Sequence, residues 1–413
     1  MRSLQVFLVL LSYSCSSLAF DVLRDYSGQN FFNGWDFYGY WDNLTLGDIW
    51  WLNESDAMAQ HLAYISDAGN AIIKVDNTTT VAPNDKRNTV RITTQDFYDY
   101  GSLWIIDLLH IPYGCSVWPA FWSKGSLWPN DGEIDIIESI NLNPNNQMAL
   151  HTTAGCFHDA SAVQTGRNAG LDCGTGSGCV VVENQPNSYE SGFAAAGGGV
   201  WATQFDVTGI YTRLTFAHSI WFWSRANIPP SIAQSTPTSS IDISDFGTPS
   251  ASYPANPQCN LTQFFTPQQL VIDITLCGDW AGVPAIYGPQ CGAMGPTGNC
   301  YQDNVVGPGS PKYDEAYFEI RYVRTYTTLA AAAGSSALPT TTASVPLVIS
   351  SPTTTPTAAP TTSVDSGSGS GPGASPGPGD STTLNNTSAA SQDATFFWVA
   401  LVMISCLSAG LML

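Results

Sequence analysis

Short segments rich in β-branched and aromatic residues recur along the chain, and each is bounded by Gly, Pro, Asn or Asp. This pattern predicts short β-strands separated by turns. No long segment carries the 3.6-residue period of an amphipathic helix, so a parallel α/β sheet is not expected. The pattern favours an all-β sandwich of two antiparallel sheets. The clearest strand segments are residues 71–75, 90–94, 103–108, 270–274 and 318–323.

A change in composition near position 329 divides the chain. Residues 20–329 contain no comparable break, and we predict a single domain there, since all-β folds reach this size. From 330 to 393 the chain consists mainly of Ser, Thr, Pro, Gly and Ala. Such a segment has too few large apolar groups to offset its ordering entropy. We interpret it as a disordered, O-glycosylated stalk.

Both ends of the sequence have the composition of processing signals. An apolar run followed by small residues predicts a secretory signal peptide over residues 1–19. Residues 394–413 carry no charge, whereas cytoplasmic Lys or Arg normally follows a spanning helix. With the small residues upstream, this tail predicts a glycosylphosphatidylinositol signal that is removed, with Asn386 or Ser388 as attachment site. We expect a secreted protein at the cell surface or wall, which contacts the plasma membrane only through its lipid anchor.

The charge balance excludes several classes of partner. The 413 residues include 13 basic and 33 acidic side chains, for a net charge of -20. Phosphates of nucleic acids and anionic lipids require clustered Lys and Arg, so neither is an expected partner. The chain also contains 13 Trp, 17 Tyr and 18 Phe. Their apolar faces suit a neutral polymer such as a glucan, and we expect a monomer to bind it.

Two of the ten cysteines, Cys15 and Cys406, lie in the terminal signals. The other eight predict up to four disulfide bonds, and the sequence leaves their pairing open. The Gly-rich run 174–178 lies between two cysteines rather than between a strand and a helix. It therefore predicts a loop and not a phosphate-binding site. Sequons in the predicted domain, at Asn43, Asn53, Asn77 and Asn260, are consistent with secretion.

The segment DGEIDIIE, residues 131–138, interleaves acids with isoleucines in a chain that has few charges. On a strand, Glu133 and Asp135 share one face. Glu138 is five residues beyond Glu133 and would point to the opposite face. An extra residue at positions 136–137, forming a β-bulge, would return Glu138 to the acidic face. Bulges are frequent beside active sites because they re-aim a side chain.

Two carboxyl groups on one face suit glycoside hydrolysis. One of them attacks the sugar or activates water, and the other protonates the leaving oxygen. An aspartate between them supplies a hydrogen bond and a like charge, which raises the pKa of one neighbour and separates the two roles. The alternative is a solvated edge strand whose acids point to water.

Tryptophans accompany these acids along the chain. Trp221 and Trp223 would share one face of a strand. Any one of the tryptophans could be core packing, but several near a group of acids favour stacking platforms for sugar rings. The residues concerned are Trp118, Trp122, Trp128, Trp221, Trp223 and Trp280.

The acidic run resembles the bulged E-x-D-x-x-E signature of glycoside hydrolase family 16, and its surroundings resemble the fungal laminarinase branch of that family. The resemblance covers roughly residues 20–329. It is densest over 97–155 and 259–329. The similar runs are FFNGWDF at 31–37, WPAFW at 118–122, WPN at 128–130, EIDIIE at 133–138, LHT at 150–152 and CGDWAG at 277–282.

The resemblance implies a β-jelly-roll with a concave substrate cleft and a retaining double displacement. By position, Glu133 would be the nucleophile, Glu138 the acid/base and Asp135 the assisting residue. His151 would lie near the cleft on the neighbouring strand, although a structural role is equally open for it. We expect no cofactor and no catalytic metal. The expected substrate-binding residues are Trp118, Trp122, Trp128, His151 and Trp280.

Three functions are compatible with these residues. The first is retaining endo-hydrolysis of β-1,3-glucan in cell-wall or environmental polysaccharide, extending to mixed 1,3/1,4 or 1,6-branched chains. The second is a cell-wall transglycosylase of the same family, but those members resemble a shorter, unbulged E-x-D-x-E pattern. The third is a non-catalytic glucan-binding wall protein, and such relatives lack one or both of the glutamates that are present here.

Overall fold

Two antiparallel β-sheets form most of the computed structural model, which describes residues 19–206 and 217–328. The stalk, the anchor signal and all of the signal peptide except Ala19 lie outside the described residues. The strands are β1 (Ala19–Ser27), β2 (Trp35–Phe37), β3 (Ile49–Trp51), β4 (Ala63–Ile65), β5 (Ala71–Lys74), β6 (Thr80–Val81), β7 (Arg87–Thr89), β8 (Arg91–Thr94), β9 (Ser102–His110), β10 (Val117–Lys124), β11 (Glu133–Glu138), β12 (Gln147–His151), β13 (Arg167–Asn168), β14 (Cys179–Val182), β15 (Gly199–Phe205), β16 (Ala217–Ser224), β17 (Ile241–Asp242), β18 (Ala251–Pro254), β19 (Gln269–Leu276), β20 (Gly307–Pro308) and β21 (Tyr317–Thr327).

The helices are short, as the absence of a helical period predicts. No helix of the described residues is long and apolar enough to cross a membrane. The α-helices are α1 (Glu54–Ala59), α2 (Glu190–Ala195), α3 (Pro230–Ala233), α4 (Gly278–Ala281) and α5 (Pro284–Tyr287). Single turns of 3-10 helix occur at Gly28–Asn30, Arg225–Asn227, Ile243–Asp245 and Leu261–Gln263, and π-helical turns at Gly288–Gly292 and Tyr301–Val305.

The strand order confirms the predicted sandwich. The first sheet runs β17-β1-β21-β9-β15-β16-β18, with β5 on β21 and β4 on β5. The second runs β13-β14-β12-β11-β10-β19-β8-β2, so the acidic strand β11 lies near its centre. All five strand segments predicted from the sequence are present, in β5, β8, β9, β19 and β21.

Alternation along each strand separates the core from the opposite face. On β10, Val117 and Phe121 are buried in the main hydrophobic core, which contains side chains of both sheets. Trp118 and Trp122 belong to two small separate clusters on the other side of this strand. The period of two therefore directs one set of side chains inward and leaves the other set to form a surface of the second sheet.

Trp221 and Trp223 share a face of β16, as predicted, and their rings are stacked with centroids 6.5 Å apart. They do not line the cavity that holds the acids. Instead they are buried in a second apolar cluster, with Phe246 against both rings. The sugar-stacking interpretation is therefore wrong for this pair, because the apolar covering of the first sheet accounts for both side chains.

Four disulfide bonds join the eight cysteines of the predicted domain, which confirms the predicted number. Two of them join segments more than 100 residues apart, a third spans 23 residues, and the fourth closes a short loop around the Gly-rich run 174–178. The bonds are Cys115–Cys291, Cys156–Cys259, Cys173–Cys179 and Cys277–Cys300.

Candidate active site

The β-bulge predicted at Ile136–Ile137 is present in β11. On one side, Asp135 pairs with Trp122 and the next paired residue, Ile137, with Phe121, so Ile136 is additional. On the β12 side, the register also shifts between Asp135 and Glu138. The sequence pattern of acids and isoleucines thus correctly predicts a local break in pairing.

The bulge places Glu138 in the same cavity as Glu133 and Asp135. The cavity is concave, with a volume of about 640 Å³. Ile134, Ile136 and Ile137 are fully buried in the core, and the bulge is what brings the adjacent Ile136 and Ile137 to the same side. Glu133 and Glu138 are half-buried and reach the cavity, whereas Asp135 between them is buried. The acids therefore do not lie on a solvated edge strand.

All five residues expected to bind substrate line this cavity: Trp118, Trp122, Trp128, His151 and Trp280. Trp128 is 38% exposed, whereas Trp118 and Trp122 are nearly buried. The rings of Trp118 and Trp280 meet edge to face with centroids 5.2 Å apart. The cavity thus has aromatic walls beside its acids.

Two indole groups hold the glutamates. Nε1 of Trp118 donates to Oε1 of Glu138 over 2.9 Å. Nε1 of Trp128 donates to Oε2 of Glu133. Each carboxyl group is thereby oriented by one N–H donor, and each tryptophan also contributes an apolar face to the cavity.

His151 lies opposite Glu133 on β12, and its Nε2 is 3.1 Å from Oδ2 of Asp135. Burial lowers the pKa of His151, but the hydrogen bond and charge of Asp135, with both glutamates, outweigh this effect and raise it to about 10. His151 is therefore a cation at neutral pH, and it partly balances the acids.

Burial and the charge of Asp135 control the titration of both glutamates. Burial first, and Asp135 second, raise the pKa of Glu133 to about 8, with the N–H of Trp128 opposing the rise. The same two causes raise the pKa of Glu138 well above its ordinary value. The pair consequently retains a proton near neutral pH, as a general acid requires.

Glu133, Asp135 and His151 also form a geometric cluster, since one ligand atom of each lies within 4.8 Å of the others. These residues already interact with one another and with a tryptophan. His151 pairs with Asp135, and Glu133 accepts a hydrogen bond from Trp128. The donor set therefore serves the acids themselves, and no step of the chemistry below requires a metal.

Sequence reasoning missed a charged pair on the wall of the cavity. Arg91 on β8 is in register with Asp273 on β19. The guanidinium of Arg91 lies over the rings of Tyr38 and Trp122, 4.9 and 5.3 Å from their centroids. Nε1 of Trp122 donates to Asp273 over 3.0 Å. Burial raises the pKa of Asp273 to about 6, with Arg91 opposing the rise.

The loop closed by the Cys173–Cys179 disulfide was also missed as part of the site. Gly176 and Ser177 line the cavity. Gly178 has φ +64°, and a Cβ at this position would lie 2.6 Å from the carbonyl oxygen of Leu150 and 2.9 Å from Nε2 of His151. Only glycine therefore allows the loop to approach the site this closely.

Comparison with known proteins agrees with this geometry. The chain is 36% identical over 334 residues to a probable endo-1,3(4)-β-glucanase of Aspergillus fumigatus. The matched region covers 79% of this chain and 48% of the relative. The chain thus spans about half the length of that relative.

Two solved structures are similar over their whole length. Laminarinase 16A of Phanerochaete chrysosporium, bound to two β-glucans in its donor and acceptor sites, is 32% identical with a TM-score of 0.66. An elongating β-1,3-glucosyltransferase of family 16 is 35% identical with the same TM-score. Each match covers 75% of this chain and 100% of the other. Both confirm the jelly-roll architecture.

The family assignment rests on most of the predicted domain. Residues 35–326 match the family described as the XgeA-like catalytic domain of glycoside hydrolase family 16. The chain therefore belongs to glycoside hydrolase family 16.

Proposed function

We propose that the described domain is a retaining endo-hydrolase of β-1,3-glucan. The observation that carries the proposal is the bulged strand β11, which directs Glu133 and Glu138 into one tryptophan-lined cavity. In retaining glycosidases two such carboxyl groups lie about 5–5.5 Å apart, so that one can form a covalent bond to the sugar. The name of the Aspergillus relative supports the substrate class.

The two glutamates divide the reaction. Glu133 attacks the anomeric carbon while Glu138 protonates the departing glycosidic oxygen, which leaves a glycosyl ester on Glu133. Glu138, now ionised, removes a proton from water as that water attacks the ester, and both groups return to their initial states. Burial and the charge of Asp135 favour the protonated form of both glutamates, and the His151 cation opposes this at both. The two roles are therefore assigned by position in the family signature.

The cavity walls suit a neutral glucan. Trp118, Trp122, Trp128 and Trp280 present aromatic surface to it, and sugar rings stack on such surfaces through their apolar faces. We propose β-1,3-glucan as the principal substrate, with mixed 1,3/1,4 or 1,6-branched chains as further ones.

Transglycosylation is the second candidate, and one observation favours it. The elongating glucosyltransferase of family 16 matches this chain at 35% identity over its whole length. In that reaction a sugar hydroxyl replaces water in the second step. A purely non-catalytic wall protein is not supported, because both glutamates are present and held by indole donors.

Product analysis separates the two reactions. The domain is incubated with laminarin, lichenan and cellulose, and the products are sized over time. Hydrolysis predicts internal cleavage of laminarin to products of several sugars, with little action on cellulose. Products longer than the substrate, increasing with added acceptor, would assign the chain as a transglycosylase. No change in any of the three polymers would contradict both.

The domain organisation and cellular location are a separate proposal. We infer a signal peptide over 1–19, a catalytic domain over 20–329, a stalk over 330–393 and a removed anchor signal over 394–413. Phosphatidylinositol-specific phospholipase C should release the protein from intact cells. Recovery of peptides from residues 394–413 in the mature protein would contradict the anchor.

Glycosylation and a monomeric state belong to the same proposal. Asn43, Asn53 and Asn260 are exposed, which is compatible with N-linked glycans. Mass analysis before and after treatment with a glycosidase that removes N-glycans tests the sequons. Size-exclusion chromatography with light scattering tests the monomer.

A further inference from the structure

The bulge in β11 creates a hydrogen-bonding problem inside the second sheet. Asp135 pairs with Ala149 and Glu138 with Gln147, so Ile136 and Ile137 together face one residue of β12. A bulge leaves its extra residue outside the regular ladder. Because buried backbone groups without partners are costly, something must satisfy them.

The side chain of Asn146 does so. Its Oδ1 accepts the backbone N–H of Glu138 over 2.9 Å, and its Nδ2 donates to the backbone carbonyl of Ile136 over 2.9 Å. One carboxamide therefore contacts the chain on both sides of Ile137. It fixes the backbone of Glu138 itself, the residue that the bulge returns to the cavity.

Asn146 is itself firmly held. It is fully buried, its backbone N–H donates to Oγ of Ser188 over 3.1 Å, and its carbonyl accepts from the N–H of Glu183 over 2.9 Å. Its Nδ2 makes a second bond to the carbonyl of Gln147 over 3.0 Å. These contacts give the carboxamide a single orientation against the bulge.

We propose that Asn146 is a positioning residue for the acid/base step, because it holds the bulge in the conformation that directs Glu138 at the glycosidic oxygen. This inference rests on the proposed role of Glu138. Asn146 does not line the cavity and is assigned no contact with substrate. An acid must lie within hydrogen-bond reach of the atom that it protonates, and a misplacement of about 1 Å can cost about 10²-fold in rate.

The test compares substrates that differ in their need for an acid. Laminarin has a poor leaving group and needs protonation, whereas a 2,4-dinitrophenyl β-glycoside of laminaribiose does not. For Asn146→Ala we expect kcat/KM to fall about 10²-fold on laminarin and less than about 5-fold on the aryl glycoside. Azide should accelerate turnover of the aryl glycoside and give a β-glycosyl azide.

Asn146→Asp keeps the shape of the side chain, so it carries the test if the alanine variant does not fold. As a carboxylate, the new side chain still accepts a hydrogen bond from the backbone N–H of Glu138, but it cannot donate one to the backbone carbonyl of Ile136. We expect the same selective loss on laminarin for this variant, of smaller size. Equal losses on the two substrates in whichever of these variants folds would overturn the proposal.

Asn304 provides a matched control for the loss of a buried carboxamide. Its Nδ2 donates to Oη of Tyr287 over 2.8 Å and to the carbonyl of Cys300 over 3.0 Å. Neither partner lines the cavity. Both Asn304→Ala and Asn146→Ala should lower Tm, but Asn304→Ala should leave the ratio of the two kcat/KM values unchanged. A changed ratio in this control would overturn the proposal, because general loosening would then explain the effect.

Glu138→Ala separates failure of the inference from failure of the proposed function. If this variant shows the selective loss on laminarin and Asn146→Ala does not, only the positioning role is wrong. If Glu138→Ala itself loses activity equally on both substrates, the acid/base assignment is wrong, and the role of Asn146 falls with it.

Discussion

Asp135 and His151 form an ion pair between two neighbouring strands of the cleft, with Nε2 of His151 3.1 Å from Oδ2 of Asp135. Asp135 lies between the two glutamates along β11, and His151 lies opposite Glu133 on β12. The charge of Asp135 raises the pKa of both Glu133 and Glu138, and the cation of His151 opposes this rise at both. The pH dependence of activity should therefore respond to this pair before it responds to other charges of the cavity.

Removal of the charge of Asp135 should shift the pH profile. Asp135→Asn deletes the like charge that raises the pKa of Glu138, so this pKa falls and the acid loses its proton at lower pH. We expect partial activity, and a basic limb of kcat/KM moved down by about one unit. Measurement of kcat/KM on laminarin between pH 4 and pH 10 checks this. As a control, Asp273→Asn removes a carboxyl group of the same cavity that is hydrogen-bonded to Trp122, and it should leave the basic limb of the profile in place. A basic limb that does not move in Asp135→Asn would contradict the role assigned to Asp135.

The two glutamates should respond differently to azide. Glu133→Ala removes the nucleophile, so hydrolysis should fall by several orders of magnitude, and azide should convert an activated β-aryl glycoside to the α-glycosyl azide. Glu138→Ala still forms the glycosyl ester from such a substrate, and azide should give the β-glycosyl azide. Proton NMR identifies each anomer. In the wild-type reaction the β-anomer should appear first, and an α-anomer first would exclude a retaining mechanism.

Replacement of the Glu138 carboxyl group by a neutral group should stabilise the fold and abolish its function as an acid. The pKa of Glu138 is raised in the folded protein by burial and by Asp135. Above the ordinary glutamate pKa of about 4.3, the folded state then binds more protons than the unfolded state. The free energy of unfolding consequently falls as pH rises from that value.

Glu138→Gln removes this penalty. We expect its Tm to exceed that of the wild type by about 2–4 °C at pH 7.5, with the difference vanishing near pH 4. Calorimetry at both pH values measures it. Glu54→Gln, at an exposed glutamate, serves as the comparison. A stability gain that is equal at the two pH values would show that ionisation is not its cause.

Metal removal should leave activity intact. The candidate ligands Glu133, Asp135 and His151 are engaged with one another and with Trp128. Dialysis against EDTA, followed by assay on laminarin with and without added Ca²⁺, Mg²⁺ or Zn²⁺, tests this. Loss of activity that one of these ions restores would assign a metal to the site.

The disulfides should differ in their contributions to stability and to binding. Cys115–Cys291 closes 176 residues and Cys173–Cys179 only 6. By chain entropy, replacement of both cysteines by serine should cost about 5 kcal/mol for the first bond and about 2 kcal/mol for the second. Urea unfolding measures this order.

The short loop borders the cavity through Gly176 and Ser177, outside any strand, so its position depends on its own disulfide. The segment closed by Cys115–Cys291 also lines the cavity, but mainly through strands β10, β11, β12 and β19, which their sheet pairing holds in place. The double Cys173→Ser, Cys179→Ser variant should therefore raise KM for laminarin, whereas the variant lacking Cys115–Cys291 should not. The reverse pattern would mean that the short loop does not contact substrate.

Local patterns along the chain predict local geometry in this protein. The extra isoleucine beside Asp135 is enough to predict the bulge and the return of Glu138 to the acidic face. Trp221 and Trp223 show the limit of such patterns. Alternation correctly places the two on one face of a strand, but only the sheet topology decides whether that face borders the cleft or a second apolar layer.

Other parts of the site depend on contacts between distant segments. Asn146 precedes β12 and is one of two consecutive asparagines, and its role exists only because the register of β12 brings it beside the bulge. Gly176 and Ser177 reach the cavity because Cys173 pairs with Cys179, a choice that cysteine counting leaves open. Asp273 has a weak signal, since it is a lone acid among apolar residues of a strand.

The three acids lie within six consecutive residues of β11. Their mutual spacing is therefore a property of one short piece of backbone. The walls, in contrast, come from segments far apart in sequence, including Asp42, Leu44 and Thr45, then residues 176–177 and 279–280. Insertions or substitutions in those wall segments can change which glucan fits without altering the distance between the two reacting carboxyls. A fold arranged in this way can diversify its substrates by varying its loops while the bond-breaking chemistry stays fixed.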